Sequence, residues 1–214
     1  MTTTPPAAPI RVLGFKLSGH SHRVELMLSL LGLPFTFEAV NLMAKAHKTP
    51  EFLAKNPFGQ VPVIEDGDVT LADSNAILVY LASRYGAPHW LPAEPVAAAE
   101  VQRWLSVAAG PLAFGPAAAR IVVLFKSPQN PDEMVARAHG LLKVMDGVLA
   151  ASPFLTGAQP SIADVANYSY VATAPEGNVS LADYPAVRAW LARVAALPGF
   201  VAMPSSPVGL LAAA

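Results

Sequence analysis

Apolar residues in the first part of the chain change from one spacing to another. Ile10–Phe15 is a short, almost entirely apolar run, which is typical of a strand buried on both faces. His22–Leu31 has its apolar residues at helical spacing, and Phe35–Ala39 alternates as a strand does. Gly32 suits the end of the intervening helix. These segments predict a β-α-β unit.

The pattern then continues through a second set of elements. Thr49–Ala54 is predicted to be a short helix. Two strands, Val63–Glu65 and Val69–Leu71, flank an Asp66-Gly67 pair that favours a hairpin turn. A further helix is predicted over Ser74–Tyr85 from its inward apolar positions. The full order is β-α-β-α-β-β-α.

The rest of the chain has no convincing strand pattern. Ala87–Pro95 contains three prolines and no periodicity, so it is interpreted as a linker. Four helical stretches follow: Val96–Phe125, Pro131–Leu149, Ser161–Ala172 and Tyr184–Val194. Gly110-Pro111 and Gly115-Pro116 are expected to kink or break the first of these. Ser161 and Asp164 form a capping box that opens the third.

These patterns predict a disordered lead-in over residues 1–9, an α/β domain over 10–86, a linker over 87–95 and an all-α domain over 96–214.

Composition narrows the possible classes of protein. The chain is 53% hydrophobic and 14% charged, so it has apolar material for a subunit interface, and its net charge is −1. That small charge argues against nucleic acid as the main partner and against a polybasic membrane anchor. The absence of cysteine excludes disulfides, thiolate metal sites and a protein thiol as nucleophile. Gly and Pro interrupt the apolar runs, and the N-terminus lacks a signal pattern, so a cytoplasmic protein without a membrane partner is expected.

The stretch before the third predicted strand indicates a binding edge. It reads Gln60-Val61-Pro62-Val63. Pro62 cannot donate a ladder hydrogen bond, so it needs an edge or a bulge. If the Val61–Pro62 bond is cis, the chain turns sharply and Val61 presents its own N–H and C=O to solvent. Such an edge would bind a short extended peptide as an added strand.

Asp73-Ser74 lies at a predicted helix start. Free N–H groups and the macrodipole favour a carboxylate at such a place. A peptide edge next to a carboxylate site suggests a small peptide with a free α-amino acid end.

The order and spacing of three motifs resemble a known site. These are His47-Lys48, Asn56-Pro57-Phe58-Gly59-Gln60-Val61-Pro62 and Asp73-Ser74. Together they look like the glutathione site of cytosolic glutathione S-transferases, and the motif sequences are most similar to those of phi-type and related bacterial members. The similarity extends over about residues 10 to 203. The resemblance implies a thioredoxin-like N-terminal domain, an all-α C-terminal domain, a homodimer, and glutathione as a substrate used without a metal.

The resemblance also assigns roles to individual residues. Lys48 would hold the glycine carboxylate of glutathione, with His47 beside it. Gln60, Val61 and Pro62 would form the edge that pairs with the peptide main chain. Ser74 would hold the γ-glutamyl carboxylate and Asp73 the ammonium group; helix capping is the alternative role for this pair.

Two residues are candidates for activating the glutathione thiol. Ser18 aligns with the phi-type active-site serine, although it could be only a turn or cap residue. His20 departs from the pattern, since several bacterial relatives that reduce disulfides carry Asn there. It could donate a hydrogen bond to sulfur and titrate near neutral pH, or be a solvated loop histidine. Ser21 is interpreted as the helix N-cap.

The substrate-side residues leave the reaction class open. Trp104 is interpreted as core, and Phe114 as a pocket residue for an apolar electrophile. The few candidate cations for a second glutathione are His20, His22, Arg120 and Lys126. Conjugation to a small apolar electrophile is therefore favoured. The alternatives are a glutathione-dependent disulfide or peroxide reductase and a non-catalytic glutathione- or ligand-binding protein.

Phe58 is either a core residue or a side chain that inserts into a partner subunit.

Overall fold

The structure is a computed structural model, and it describes residues 5–212. The first four residues of the predicted lead-in lie outside that range. The chain divides into two compact units. The first extends to Leu91 and includes Leu197–Met203, and the second is built from Pro92–Ala196 with the residues from Pro204 onward.

A mixed four-stranded sheet forms the centre of the first unit as described. Its strands are β1 (Ile10–Gly14), β2 (Phe35–Ala39), β3 (Val63–Asp66) and β4 (Val69–Ala72). The spatial order is β2-β1-β3-β4, with β1 parallel to β2 and antiparallel to β3. Ile10 and Val12 of β1 are fully buried, as the apolar run predicted.

The helices of the first unit are α1 (Gly19–Leu30), α2 (Pro50–Lys55) and α3 (Ser74–Tyr85). A short 3-10 turn, Ala46–Lys48, precedes α2. The order β-α-β-α-β-β-α and the thioredoxin-like prediction are confirmed.

The start of α1 corrects one prediction. The helix begins at Gly19, before the predicted His22, and its N-cap is Ser18, whose side chain accepts from Ser21 N at 3.3 Å. Ser21 is fully buried and its Oγ accepts from Phe15 N at 3.1 Å. The prediction of Ser21 as the N-cap is therefore wrong, because its hydroxyl holds the turn that leaves β1.

The second unit contains helices and short helical turns within the described residues. Its helices are α4 (Pro95–Ala109), α5 (Ala118–Phe125), α6 (Pro131–Ala151), α7 (Ile162–Ala172) and α8 (Pro185–Ala195). A π-helical turn over Ala113–Ala117 joins α4 to α5 and contains Pro116. Gly110 is the C-cap of α4, so the first Gly-Pro pair ends that helix as predicted. Pro116 lies inside the π-helical turn, where the wider turn accommodates a proline that lacks an N–H.

The continuous stretch Pro95–Phe125 is long and apolar enough to cross a membrane by length and composition alone. That differs from the expectation that Gly and Pro would interrupt every such run. Core helices pass the same test, and Trp104 and Leu105 of this stretch are buried in the second unit.

A buried hydrogen-bond network and a buried ion pair connect elements of the second unit. Asp164 closes the predicted capping box by accepting from Ser161 N at 2.9 Å, and it also accepts from Trp190 Nε1 at 2.8 Å. Arg120 and Glu176 form an ion pair at 2.7 Å, and each side chain is 1% exposed. The capping-box prediction is confirmed, and so is the prediction that Trp104 is a core residue, at 1% exposed.

Candidate functional site

A cleft of about 740 Å³ lies in the first unit. The predicted binding residues that line it are His47, Lys48, Gln60, Val61, Pro62, Asp73 and Ser74. His20 lines it as well, whereas Ser18 is not among the lining residues. The structure therefore brings together residues from the turn before α2, the loop before β3 and the starts of α1 and α3.

The loop before β3 forms one wall of the cleft. The Val61–Pro62 peptide bond is cis, and the first residue of β3 that pairs with β1 is Val63. Asn56 is buried and fixes the loop: its Nδ2 donates to Gln60 O at 2.8 Å, and its Oδ1 accepts from Phe58 N at 3.1 Å. The peptide groups of Gln60 and Val61 thus lie outside the sheet ladder.

The opposite end of the cleft is the start of α3. Asp73 has φ 70° and ψ 121°, a conformation that side-chain-bearing residues rarely adopt. Its Oδ1 caps the helix by accepting from Asn75 N at 3.0 Å and Ala76 N at 2.9 Å. Ser74, the first helical residue, is 3% exposed. Capping by Asp73 is confirmed, and its Oδ2 makes no hydrogen bond within residues 5–212.

Ser74 connects two side chains from α1. Its Oγ lies 3.1 Å from His20 Nδ1 and accepts from Arg23 Nη1 at 3.2 Å. Arg23 Nη1 also donates to Asn75 Oδ1 at 2.9 Å, and the Arg23 side chain is 1% exposed. Sequence reasoning missed Arg23, although it lies three residues after His20, which puts both on one face of a helix.

Burial keeps His20 neutral. Desolvation and, secondarily, the charge of Arg23 lower the pKa of His20 to about 3. The expectation that His20 titrates near neutral pH is therefore wrong. A neutral ring carries one N–H donor and one acceptor nitrogen.

Ser18 is half-buried and caps α1. Its Oγ accepts from Ser21 N, which uses one lone pair and leaves the hydroxyl proton to be donated. Capping and donation to a ligand are compatible.

Lys48 is exposed and organises the loop beside it. Its Nζ donates to Gly59 O at 3.0 Å and to Phe58 O at 3.2 Å. Gly59 has φ 56°, and a Cβ there would lie 2.7 Å from Lys48 Nζ and 2.8 Å from His47 O. Only glycine fits at this close approach. An ammonium group has three protons, so Lys48 can still donate to a ligand.

Two cations expected near the cleft are engaged elsewhere. His22 is 2% exposed, and its Nε2 lies 3.0 Å from Val201 O. Arg120 is paired with Glu176 in the second unit. Both were named only as candidate donors for the disulfide-reduction alternative, and their burial leaves neither available to a second glutathione.

Two exposed aromatic residues remain. Phe58 is 81% exposed, so the core alternative for it is wrong. Phe114 is 58% exposed and lines a mainly apolar groove of about 590 Å³ in the second unit. The other lining residues are Val107, Gly110, Pro111, Arg137, Gly140, Leu141 and Val144.

Among residues 5–212, no three His, Asp or Glu side chains are grouped as metal ligands would be.

Comparison with known proteins shows where this architecture belongs. The family model for the glutathione S-transferase N-terminal domain matches residues 8–83, and the model for the C-terminal domain matches residues 97–198. The chain belongs to the glutathione S-transferase family. Glutathione S-transferase 3 of Zea mays is 36% identical over 211 residues, which cover 90% of this chain and 92% of that protein. Human glutathione S-transferase theta-2B is 32% identical, with 86% and 79% covered.

Solved structures agree with this assignment. A glutathione S-transferase from Pseudomonas fluorescens has a TM-score of 0.87 and 36% identity, covering 92% of this chain and 99% of that one. A Drosophila mojavensis homologue solved with bound glutathione has a TM-score of 0.81 and 30% identity, with 89% of each chain covered. The protein is thus a glutathione transferase with the fold that the motifs predicted.

Proposed function

We propose that the cleft binds glutathione in an extended conformation between Lys48 and Ser74. Lys48 and His47 hold the glycine carboxylate. Gln60 and Val61 pair with the cysteinyl main chain, beside Pro62. The observation that supports this best is that a cationic side chain, loop peptide groups outside the sheet ladder and a helix N-terminus line one cleft.

The γ-glutamyl end lies at α3. Ser74 holds the carboxylate through its hydroxyl and its own amide N–H, because Asp73 Oδ1 already accepts from the next two N–H groups of the helix. The exposed Oδ2 of Asp73 accepts from the ammonium group. Both assignments use atoms that the capping interactions leave available.

The reactive group is the thiolate of glutathione. A free thiol has a pKa of about 8.5, so half-ionisation at neutral pH requires a pKa lower by about 1.5 units. One charge-assisted hydrogen bond contributes about 1.5–3 kcal/mol and a helix N-terminus about 0.3–1 kcal/mol, which together suffice. The two candidate donors at the start of α1 are the hydroxyl of Ser18 and the ring N–H of His20.

The favoured reaction is conjugation to a small apolar electrophile. The thiol proton leaves to solvent, the sulfur forms a bond to the electrophilic carbon, and a leaving group such as halide departs with its bonding electron pair. Disulfide or peroxide reduction needs space and donors for a second thiol compound. The burial of His22 and Arg120 removes two of the candidate donors and so supports conjugation.

Parallel turnover assays test the reaction class. With glutathione present, the enzyme is expected to turn over an aryl halide faster than a small disulfide, with Ser18→Ala and His20→Asn as matched variants. Efficient disulfide reduction with negligible conjugation would reverse this ordering. Tight glutathione binding without either activity would support a binding protein.

The functional molecule is a homodimer of a cytoplasmic protein, with domains at 10–86 and 96–214 and a linker at 87–95. Phe58, exposed on the loop of the first unit, inserts into an apolar surface of the partner copy. The Phe114 groove remains the candidate site for the electrophile. A two-fold axis would make the Phe58 contact twice, which closes the assembly at two copies. Burying an exposed aromatic side chain against an apolar surface is strongly favourable.

A further inference from the structure

The buried side chain of Asn56 contacts two peptide groups of the loop that follows it. Asn56 is the C-cap of α2, is 4% exposed and lines the cleft. Its Oδ1 accepts from Phe58 N at 3.1 Å, and its Nδ2 donates to Gln60 O at 2.8 Å. A backbone N–H can only donate and a carbonyl can only accept, so these two partners fix which end of the Asn56 amide is oxygen and which is nitrogen.

The two contacts of Asn56 differ in what they require of the side chain. Acceptance from the N–H two residues later is an Asx turn, which an aspartate would form equally well. Donation to Gln60 O needs an N–H group, which asparagine has and an ionised aspartate lacks. The second contact therefore gives Asn56 a role beyond ending α2 and turning the chain.

The hydrogen bond to Gln60 O determines the direction of a neighbouring donor. The Gln60–Val61 peptide bond is trans, so Gln60 C=O and Val61 N–H belong to one planar group and point in opposite directions. With Gln60 O directed at Asn56, Val61 N–H is directed away from Asn56. Val61 lines the cleft and lies outside the sheet ladder, in which β3 begins to pair with β1 at Val63.

Other hydrogen bonds hold the rest of the loop in place. Gly59 N donates to Asn56 O at 2.8 Å. Lys48 Nζ donates to Gly59 O at 3.0 Å and to Phe58 O at 3.2 Å. The loop therefore keeps one arrangement of its peptide groups, and groups that are preorganised in this way bind a ligand without a further loss of conformational freedom.

We propose that Asn56 is a positioning residue for glutathione, which directs Val61 N–H toward the cysteinyl carbonyl oxygen of the ligand. The proposal rests on the proposed function, which pairs Gln60 and Val61 with the cysteinyl main chain. A carbonyl acceptor on an extended peptide matches an N–H donor at such an edge, as in the addition of a strand. Because Asn56 acts through Val61 and not on the sulfur, it should determine the affinity for glutathione and leave the chemical step almost unchanged.

A pair of ligands tests whether Asn56 acts through Val61. The probes are glutathione and an analogue in which an E-alkene replaces the cysteinyl–glycine amide, which removes the carbonyl acceptor and keeps the extended shape. In calorimetry the parent should bind the analogue about tenfold more weakly than glutathione, since a donor loses its acceptor. Asn56→Ala should bind glutathione about tenfold more weakly than the parent does, and the analogue within about threefold of glutathione.

A purely structural role for Asn56 gives a different result with the same ligands. It would lower the affinities for glutathione and for the analogue by the same factor. If the ratio of the two affinities in Asn56→Ala equals that of the parent, the proposal is therefore wrong.

Asn56→Asp separates the two contacts of the side chain. At pH 8 the ionised carboxylate still accepts from Phe58 N but has no proton to donate to Gln60 O, so glutathione affinity should fall about tenfold, with the same loss of discrimination between the ligands. If Asn56→Asp binds both ligands as the parent does, the Gln60 contact does not position the edge and the proposal is rejected. This variant decides the matter if Asn56→Ala does not fold.

Steady-state kinetics with an aryl halide as the electrophile give an independent readout. Asn56→Ala should raise the KM for glutathione about tenfold and change kcat less than about threefold. A fall in kcat with an unchanged KM would contradict the positioning role. The matched control is Asn41→Ala, which should change neither constant. Asn41 is exposed, its Oδ1 also holds a turn by accepting from Ala44 N at 3.0 Å, and it is not among the residues that line the cleft.

Failure of this inference is distinct from failure of the proposed function. If the parent binds glutathione in calorimetry and both Asn56 variants bind it equally well, only the assignment of Asn56 fails. If the parent does not bind glutathione, the proposed function itself fails.

Discussion

At the scale of single residues, Ser74 is the point at which the interactions of the cleft converge. It follows Asp73, whose φ of 70° costs on the order of 1–3 kcal/mol in a residue with a side chain. Its hydroxyl contacts side chains from α1, and its amide begins α3. The surrounding contacts maintain a strained conformation that directs the helix N-terminus into the cleft.

Binding of glutathione should depend on Ser74 and Lys48 more than on Ser18. Ser74→Ala and Lys48→Ala should each weaken the affinity about tenfold or more, because each disturbs contacts to a carboxylate worth about 1.5–3 kcal/mol. Ser18→Ala should change the affinity little. Isothermal titration calorimetry measures all three, with Lys45→Ala as an exposed lysine control. If Ser74→Ala binds like the parent, the site is misplaced.

The low pKa of His20 predicts a dependence of stability on pH. Its pKa is about 3 in the folded protein and about 6.5 in the unfolded chain, so the unfolded state takes up a proton first as pH falls. The free energy of unfolding should therefore decrease from about pH 6.5 toward pH 3. Urea unfolding of His20→Asn should show a smaller decrease than the parent over this range. An identical pH profile would contradict the depressed pKa.

Much of the site could be predicted from the sequence, because its residues lie in short motifs with a local physical meaning. Lys48, Val61 and Ser74 were placed in one cleft on that basis. Arg23 was missed, since its partner Ser74 comes from another helix and the contact exists only after folding. The protonation of His20 was mispredicted for the same reason, because it depends on burial by distant residues.

At the scale of elements, caps and periodicity predicted most boundaries. The capping box at Ser161 begins α7 as expected, and Asn130 is the N-cap of α6. The start of α1 was missed because Gly19-His20-Ser21 contains no apolar residue, so the helical period is not visible there. Pro116 was expected to interrupt its helix, yet a π-helical turn contains it.

The capping residue Asp164 should be important for folding of the second unit. It is 1% exposed and accepts from Leu155 N at 2.9 Å, Ser161 N at 2.9 Å and Trp190 Nε1 at 2.8 Å. Asp164→Ala leaves buried donors without acceptors, at about 1–3 kcal/mol each. We expect the free energy of unfolding to fall by about 3 kcal/mol or more in urea denaturation.

The exposed Asp68→Ala on the β3–β4 turn is the control for this measurement, and it should change stability by about 0.5 kcal/mol or less. If the two substitutions lower the free energy of unfolding equally, the buried hydrogen bonds of Asp164 do not contribute to stability as argued here.

At the scale of the whole molecule, the exposure of Phe58 leads us to predict that this side chain stabilises a homodimer. Parent protein should be a dimer at micromolar concentration, and Phe58→Ala should raise the dimer dissociation constant about tenfold or more, because an aromatic anchor leaves an apolar surface. Met43→Ala, which alters another highly exposed apolar side chain of the first unit, should have no such effect. Light scattering over a dilution series measures both. A monomeric parent would contradict the dimer.

The location of glutathione in a crystal of this protein tests the central claim most directly. The account predicts its glycine carboxylate at Lys48, its cysteinyl main chain along Val61 and its γ-glutamyl group at Asp73 and Ser74. Glutathione bound elsewhere, or a crystal that binds none in this cleft at saturating concentration, would contradict it.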